Sequence, residues 1–338
     1  MKEKLSFKLI TRIAKISFLI VLLLMVSGFI SGCAEKLAPL PEQPQPQPTA
    51  VIEIAPESQA GNGNLEVFRD LAYGSLSPAQ TLDLYVPEGK GPFPLVVIIH
   101  GGGFMTGDKT NGAELGRVKV LLKEGYAVAS INYRLSDEAI YPAQIHDVKA
   151  AVRYLRANAQ KYRLDPDNFG AWGSSAGGTL AALLGTTCDV TELEGAKLGN
   201  SEQSSCLQAV VDWFGLVDLL KMDKQFKGTG CPGGHDEADS AESLGVGAPI
   251  QTVPEIVYKT NPTNYIDASD PPFFIQHGSD DCRVPPEQSK DLAEALRAVI
   301  GGENVYYSVL PGAVHGGAKF KTDANFDLVI DFLDSYLK

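Results

Sequence analysis

The segment Phe169-Gly170-Ala171-Trp172-Gly173-Ser174-Ser175-Ala176-Gly177-Gly178 sets a serine inside a Gly-x-Ser-x-Gly pattern, where a strand-like run gives way to a helix-like one. A serine at such a junction rides a tight turn. Gly173 and Gly177 leave space for the chain to double back, so the Ser175 hydroxyl is presented at the edge of a sheet as a nucleophile. A hydroxyl near neutral pH attacks poorly unless a base takes its proton and a carboxylate orients that base. Downstream of Ser175 the imidazoles are His235, His277 and His315. His315 lies in the turn Pro311-Gly312-Ala313-Val314-His315-Gly316 after strand-like residues 304–310, and is the expected base. His277 closes a strand and would leave no acid between serine and histidine in a comparable turn. His235 falls in an irregular stretch and reads as a surface or lid residue. Asp280 and Asp281, in the loop after residues 273–277, compete for the orienting acid, with Asp212 and Asp218 as more distant alternatives.

Upstream, strand-like residues 95–99 run into His100-Gly101-Gly102-Gly103-Phe104. The glycines let the backbone N–H groups of Gly102 and Gly103 approach a reacting carbonyl, and the N–H of Ala176 at the helix start stands beside them. Donors aimed at a developing oxyanion contribute roughly 3 to 4 kcal/mol each by mutation. The chemistry these residues can do together is acyl transfer through an acyl-enzyme. It requires no metal or cofactor, and neither a CxxC pair nor an HExxH motif is present to suggest a metal site. Trp213, Phe214 and Phe104 are candidates to shape an acyl pocket, although aromatic residues at strand ends more often belong to the core.

Elements able to position these groups are visible along the chain. From about residue 64 strand-like and helix-like segments alternate, the pattern of an α/β fold with a mostly parallel sheet. Residues 81–86, 95–99, 126–131, 168–172, 209–214, 273–277 and 304–310 read as strands. A helix is expected over 143–160, where Ile145, Val148, Val152 and Leu155 share one face, and another over 176–184. Phe326, Ile330, Leu333 and Leu337 line one side of a closing helix. Between residues 215 and 270 the order lapses into a stretch rich in Gly, Pro and Asp, read as an irregular insertion over the site.

The stretches HGGGF, Asn132-Tyr133-Arg134-Leu135 with Tyr141-Pro142-Ala143 and Asp147, then WGSSAGG, HGSDDCRVP and PGAVHG resemble α/β-hydrolase esterases of the hormone-sensitive-lipase-like type. More closely, they resemble bacterial feruloyl and acetyl esterases acting on plant polysaccharides. The resemblance covers about residues 81–338. It implies an α/β-hydrolase fold, and its H-G-x-x-D-x-x-V-P pattern assigns the acid to Asp281, its PGxxHG pattern the base to His315. The Tyr-Arg-Leu and Asp147 region is scaffolding in such enzymes. The substrate implied is a small-molecule or polysaccharide ester carrying a short acyl or aryl group. The family often has a hydrophobic N-terminal cap, whereas here the region before Thr81 is short, so any lid must come from the insertion. Two rivals on the same fold are a peptidase and a catalytically silent binding protein; the second is disfavoured because the triad positions and HGGG are all filled.

The N-terminus has a different character. Lys2, Lys4, Lys8, Arg12 and Lys15 precede an apolar run over 16–30, which is the pattern of a secretory leader and is shorter than the roughly 20 residues a membrane-spanning helix needs. The run ends in Ile30-Ser31-Gly32-Cys33, which resembles the lipoprotein box, implying removal of residues 1–32 and lipidation of Cys33. Residues 33–63, with PLPEQPQPQP over 39–48, then read as a semi-rigid tether, and 64–338 as the catalytic domain. The expectation is an exported bacterial lipoprotein held on a membrane surface, at the cell surface or periplasmic face. Loss of residues 1–32 removes five Lys/Arg and one Glu and takes the formal charge from −12 to −16, which argues against a nucleic-acid partner. Cys188, Cys206, Cys231 and Cys282 remain, and outside the cytosol they are free to form disulfides in three possible pairings. Cys188 with Cys206 and Cys231 with Cys282 is the expected pairing, because the first closes a short local excursion.

Overall fold

A computed structural model describes residues 65–338; the leader, Cys33 and the tether lie outside the described residues. Eight strands form one sheet in the order β1-β2-β4-β3-β5-β6-β7-β8. They are β1 (Glu66–Ala72), β2 (Thr81–Val86), β3 (Phe93–Ile99), β4 (Ala127–Ile131), β5 (Leu164–Ser174), β6 (Ala209–Trp213), β7 (Phe273–Gly278) and β8 (Val305–Leu310). β1 and β2 are antiparallel to each other, and β2 to β4; every other pairing is parallel. This is the mostly parallel α/β-hydrolase arrangement expected from the sequence.

The strands alternate between two cores because successive side chains leave opposite faces of a sheet. In β3, Leu95, Val97 and Ile99 face one apolar cluster, and Val96 and Ile98 the other. The helices are α1 (Gly112–Lys123), α2 (Ala143–Ala157), α3 (Ala159–Tyr162), α4 (Ala176–Thr186), α5 (Met222–Phe226), α6 (Ala241–Val246), α7 (Pro254–Thr260), α8 (Pro286–Ile300) and α9 (Asp323–Leu337). Apolar residues of α2, α4 and α8 enter the first cluster, those of α1 and α9 the second. The helix read over 143–160 breaks at Asn158, whose side-chain amide donates to the Tyr154 carbonyl at 2.8 Å and so caps the end of α2. Among the described residues no helix is long and apolar enough to cross a membrane.

The stretch after β6 departs from the irregular insertion expected. It contains α5, α6 and α7 together with single 3₁₀ turns, and Leu216, Leu219, Met222, Val246, Ile250 and Val257 form a third apolar cluster closed by Val284. Helices of one or two turns leave too few repeats for a periodic signal, so they were not legible.

A buried carboxylate ties the loop after β4 to the rest. Asp147 in α2 is fully buried and accepts Arg134 N and Nε at 2.9 Å each on Oδ2, and Arg134 Nη2 and Gln80 Nε2 at 2.7 Å each on Oδ1. Next to Arg134, the Tyr133 hydroxyl donates to the His100 carbonyl at 3.0 Å, and its ring stacks on the His100 imidazole at 4.4 Å. Scaffold and glycine loop are thus joined. Removing one member of a buried ion pair strands the other, so Asp147→Ala is expected to lower unfolding free energy by about 3 kcal/mol, read as a lower urea midpoint with an unchanged slope.

Candidate active site

Ser175 sits between β5 and α4 with φ +55° and ψ −126°, a conformation that non-glycine residues rarely adopt. The turn is held from both sides: Ser175 N–H donates to the Trp213 carbonyl at 2.9 Å, and Thr179 N–H donates to the Ser175 carbonyl at 3.0 Å. Backbones meet closely here. A Cβ on Gly173 would collide with the Gly177 carbonyl, and one on Gly177 with the carbonyls of Ile99 and His100, so both positions demand glycine. The HGGG loop therefore lies against the elbow, where a Cβ on Gly101 would come within 3.2 Å of Ser175 Cβ. Gly102 has φ +119° and Gly103 φ +62°, which turn this loop back over the site. Among the described residues the N–H groups of Gly102, Gly103 and Ala176 donate to no internal acceptor. Ala176 opens α4, where N–H groups have no intrahelical partner.

The three distant loops converge. His315 Nε2 lies 2.9 Å from Ser175 Oγ, and His315 Nδ1 lies 2.6 Å from Asp281 Oδ2. The Phe214 ring meets the His315 ring edge-on at 4.6 Å and limits its swing. Asp281, 2% exposed, accepts the backbone N–H groups of Arg283 and Val284 on Oδ1 at 2.8 and 3.0 Å. Burial alone would push its carboxyl up. Hydrogen bonds from His277, His315 and Val284 and the charge of His315 outweigh that and hold it well below the usual carboxylate range.

His277 has a part that the sequence did not disclose. Its ring is fully buried, so it does not serve Ser175 as a base. Nε2 faces the Val284 carbonyl at 3.0 Å and Asp281 Oδ2 at 3.2 Å, and Nδ1 faces the Ser289 hydroxyl at 2.7 Å. A carbonyl only accepts, which places the proton on Nε2 and leaves Nδ1 to accept from Ser289. The ring thus steadies Asp281 from behind. The only sequence signal was its position four residues before that acid.

The other candidates are elsewhere. Asp280 is exposed and accepts the Ser279 hydroxyl at 2.7 Å. Asp212 is buried beneath the elbow, accepts Gly215 N–H at 2.9 Å, and is pushed up to about 7 by desolvation. Asp218 pairs with Lys221. His235 lines the cleft in front of Ser175 and pairs with Glu242 at 3.1 Å. That cleft, about 920 Å³, is also lined by Phe104, Trp213 and Phe214, the three aromatic residues read as candidate pocket walls.

Cys188 pairs with Cys206 and Cys231 with Cys282, with Cα atoms 5.0 and 5.1 Å apart. The second bridge links the insertion to the residue following Asp281, and both Cys282 and the segment after Cys231 line the cleft.

An elbow serine, a histidine and a buried carboxylate on a sheet of this order define a serine-hydrolase class of site on an α/β-hydrolase fold. Residues 82–296 match the BD-FAE family, and the chain belongs to it. Esterase LipC of Mycobacterium tuberculosis is 33% identical over 73% of this chain and 59% of its own length. A probable isoprenylcysteine alpha-carbonyl methylesterase of Arabidopsis thaliana is 30% identical over 68% of this chain and 47% of its own. The chain thus spans about half to three-fifths of these curated relatives. Among solved structures, a truncated carbohydrate esterase from gut microbiota superposes with a TM-score of 0.72 at 33% identity, covering 80% of this chain and 95% of that one. A bifunctional GH43-CE protein of Bacteroides eggerthii gives the same TM-score at 35% identity, over 80% of this chain and 35% of that one.

If the Cys231–Cys282 bridge fixes the acid loop, replacing both cysteines by serine should lower stability by about 2 to 4 kcal/mol and reduce turnover as well. Unchanged turnover with lowered thermal stability would limit the bridge to a structural role.

Proposed function

We propose that this protein is a serine carboxylesterase that cleaves esters of short acyl or aryl acids, with acetyl and feruloyl groups on plant polysaccharides the first substrates to try. The observation that carries the reading is the continuous chain from Ser175 Oγ through His315 to Asp281, at 2.9 and 2.6 Å, beside a glycine loop with free amides. In the reaction, Ser175 Oγ attacks the ester carbonyl while His315 Nε2 takes its proton. Asp281 keeps the ring oriented and stabilises its positive charge. The N–H groups of Gly102, Gly103 and Ala176 receive the oxyanion. His315 then returns the proton to the departing alcohol, leaving an acyl group on Ser175. Water, deprotonated by the same imidazole, releases the acid and restores the serine. The esterase relatives and the carbohydrate esterase neighbours support this class of substrate.

The reading extends to the N-terminus: residues 1–32 are a lipoprotein signal peptide, Cys33 carries lipid, 33–63 is a tether, and 64–338 is the catalytic domain at the cell surface or periplasmic face of a membrane. The basic leader and the Ile-Ser-Gly-Cys box support it. Cys33→Ser should move the protein from the membrane to the soluble fraction; an unchanged distribution would discard the anchor.

Ser175→Ala should reduce turnover of p-nitrophenyl acetate by about 10⁶-fold and abolish labelling by a serine-directed phosphonate. Full activity or retained labelling in the alanine variant contradicts the assignment.

A further inference from the structure

A second imidazole faces the cleft, and the insertion holds it from several directions. Asp223 accepts the backbone N–H groups of Gly234 and His235 on Oδ1 at 2.9 and 3.0 Å, and that of Asp236 on Oδ2 at 3.1 Å. The Ser240 hydroxyl donates to the His235 carbonyl at 2.8 Å, and the His235 ring stacks on Phe226 with centroids 5.7 Å apart. Nδ1 faces Glu242 Oε1 at 3.1 Å, with the His235 side chain 16% exposed and that of Glu242 8%. A carboxylate only accepts, so Nδ1 carries a proton and Nε2 is the free edge of the ring. Among the described residues Nε2 meets no partner, and it is not one of the buried atoms left without one, so it opens on the cleft that His235 lines with Ser175.

The segment carrying this ring is fixed to both sides of the catalytic centre. Ala241, beside Glu242, packs on the glycine loop, where a Cβ on Gly103 would come within 3.1 Å of Ala241 Cβ. The Cys231–Cys282 bridge ties the start of the segment to the residue after Asp281, and Pro232, Gly233 and Gly234 line the cleft together with Cys282. That is the side on which His315, held by Asp281, returns its proton to the departing alcohol, so the ring is placed to meet the alcohol half of the ester. Burial acts to lower the His235 pKa, but the hydrogen bond and charge of Glu242, with the charges of Asp223 and Asp236, outweigh it and raise the value. Nε2 donates to a hydroxyl oxygen when the ring is protonated and accepts from the hydroxyl when it is neutral. A hydroxyl therefore suits either state. An alkyl group offers neither bond, and a carboxylate would face Glu242, Asp223 and Asp236.

We infer that His235 is a specificity-determining residue whose Nε2 binds a hydroxyl on the alcohol half of the ester, as a polyhydroxylated ring presents and an alkyl alcohol does not. The inference rests on the esterase reading above and goes beyond it by assigning the contact to the leaving alcohol. The comparison sets the monoacetates of methyl β-D-xylopyranoside against cyclohexyl acetate, all acetates of secondary ring alcohols. In the full-length wild type the ratio of their kcat/KM values should exceed the ratio for hydroxide-catalysed hydrolysis by about ten-fold, because a site built to hydrogen-bond a hydroxyl discriminates against the analogue lacking it. His235→Asn keeps an amide where Nδ1 stands and removes the group at Nε2, so that ratio should fall to within about two-fold of the chemical one, with the loss in KM. His235→Gln reaches the Nε2 position but gives up the Glu242 partner, so it should lower the unfolding midpoint yet keep more of the ratio than His235→Asn. Each ratio is internal to one protein, so a general loss of activity cancels. A wild-type ratio no greater than the chemical one, a ratio kept in His235→Asn, or one lost further in His235→Gln would overturn the inference. Should neither variant fold, carbethoxylation of the wild type by diethyl pyrocarbonate decides, read on the fragment of residues 228–259, in which His235 is the one histidine. Methyl β-D-xylopyranoside should slow that reaction and cyclohexanol should not; equal rates overturn the inference. If p-nitrophenyl acetate is still hydrolysed in those cases, the esterase reading survives. Loss of all ester turnover and of phosphonate labelling in the wild type would instead remove that reading, and the alcohol-side assignment with it.

Discussion

The close backbone approach between the end of β3 and the turn after β5 is the constraint on which the site depends. Ser175 occupies a backbone region that costs on the order of 1–3 kcal/mol for a residue with a side chain. The surrounding sheet meets that cost, because the Ser175 N–H donates to the end of β6 and its carbonyl receives Thr179 from α4. Gly173 and Gly177 permit the contact with the carbonyls of Ile99 and His100. The same contact brings the glycine loop against Ser175, so the serine and the amides of Gly102 and Gly103 are set in place by one packing event and need no separate devices.

The acid side of the site is organised by hydrogen bonds to a buried charge. Asp281 collects two ring N–H groups and two backbone N–H groups, which is what makes burial of an ionised carboxylate tolerable. His277 and Ser289 extend this arrangement into α8. The orientation of His315 is therefore fixed, through Asp281, by groups of the loop after β7 and by the buried His277.

How much of this was legible in the sequence follows from how local each feature is. The elbow, the glycine loop and the turns carrying Asp281 and His315 could be read because turn chemistry is written in neighbouring residues, glycines above all. The buried strands could be read from their β-branched runs. α1 is hard to read in the sequence because its inward face carries Glu114 and Arg117, charged residues that erase the apolar period. α8, with Leu292, Ala293, Leu296 and Ile300 buried at helical spacing, does carry a periodic signal. The support given to Asp281 by His277, and to His100 by Tyr133, was not readable, since both depend on which strand ends the fold makes neighbours.

Asp212 and Asp281 occupy adjacent strands of the sheet or their loops, yet their surroundings act on them in opposite senses. For Asp212, raised to about 7 by burial, the folded chain keeps a proton that the unfolded chain gives up in the ordinary carboxylate range. Its linkage therefore favours the fold in mild acid, and that contribution drains away as the medium approaches neutrality. For Asp281, held below that range, the contribution is complete above the unfolded carboxylate value and is lost only as strong acid protonates the folded group. The two carboxyls together tilt the native state toward weakly acidic surroundings, since one loses its benefit above that window and the other below it.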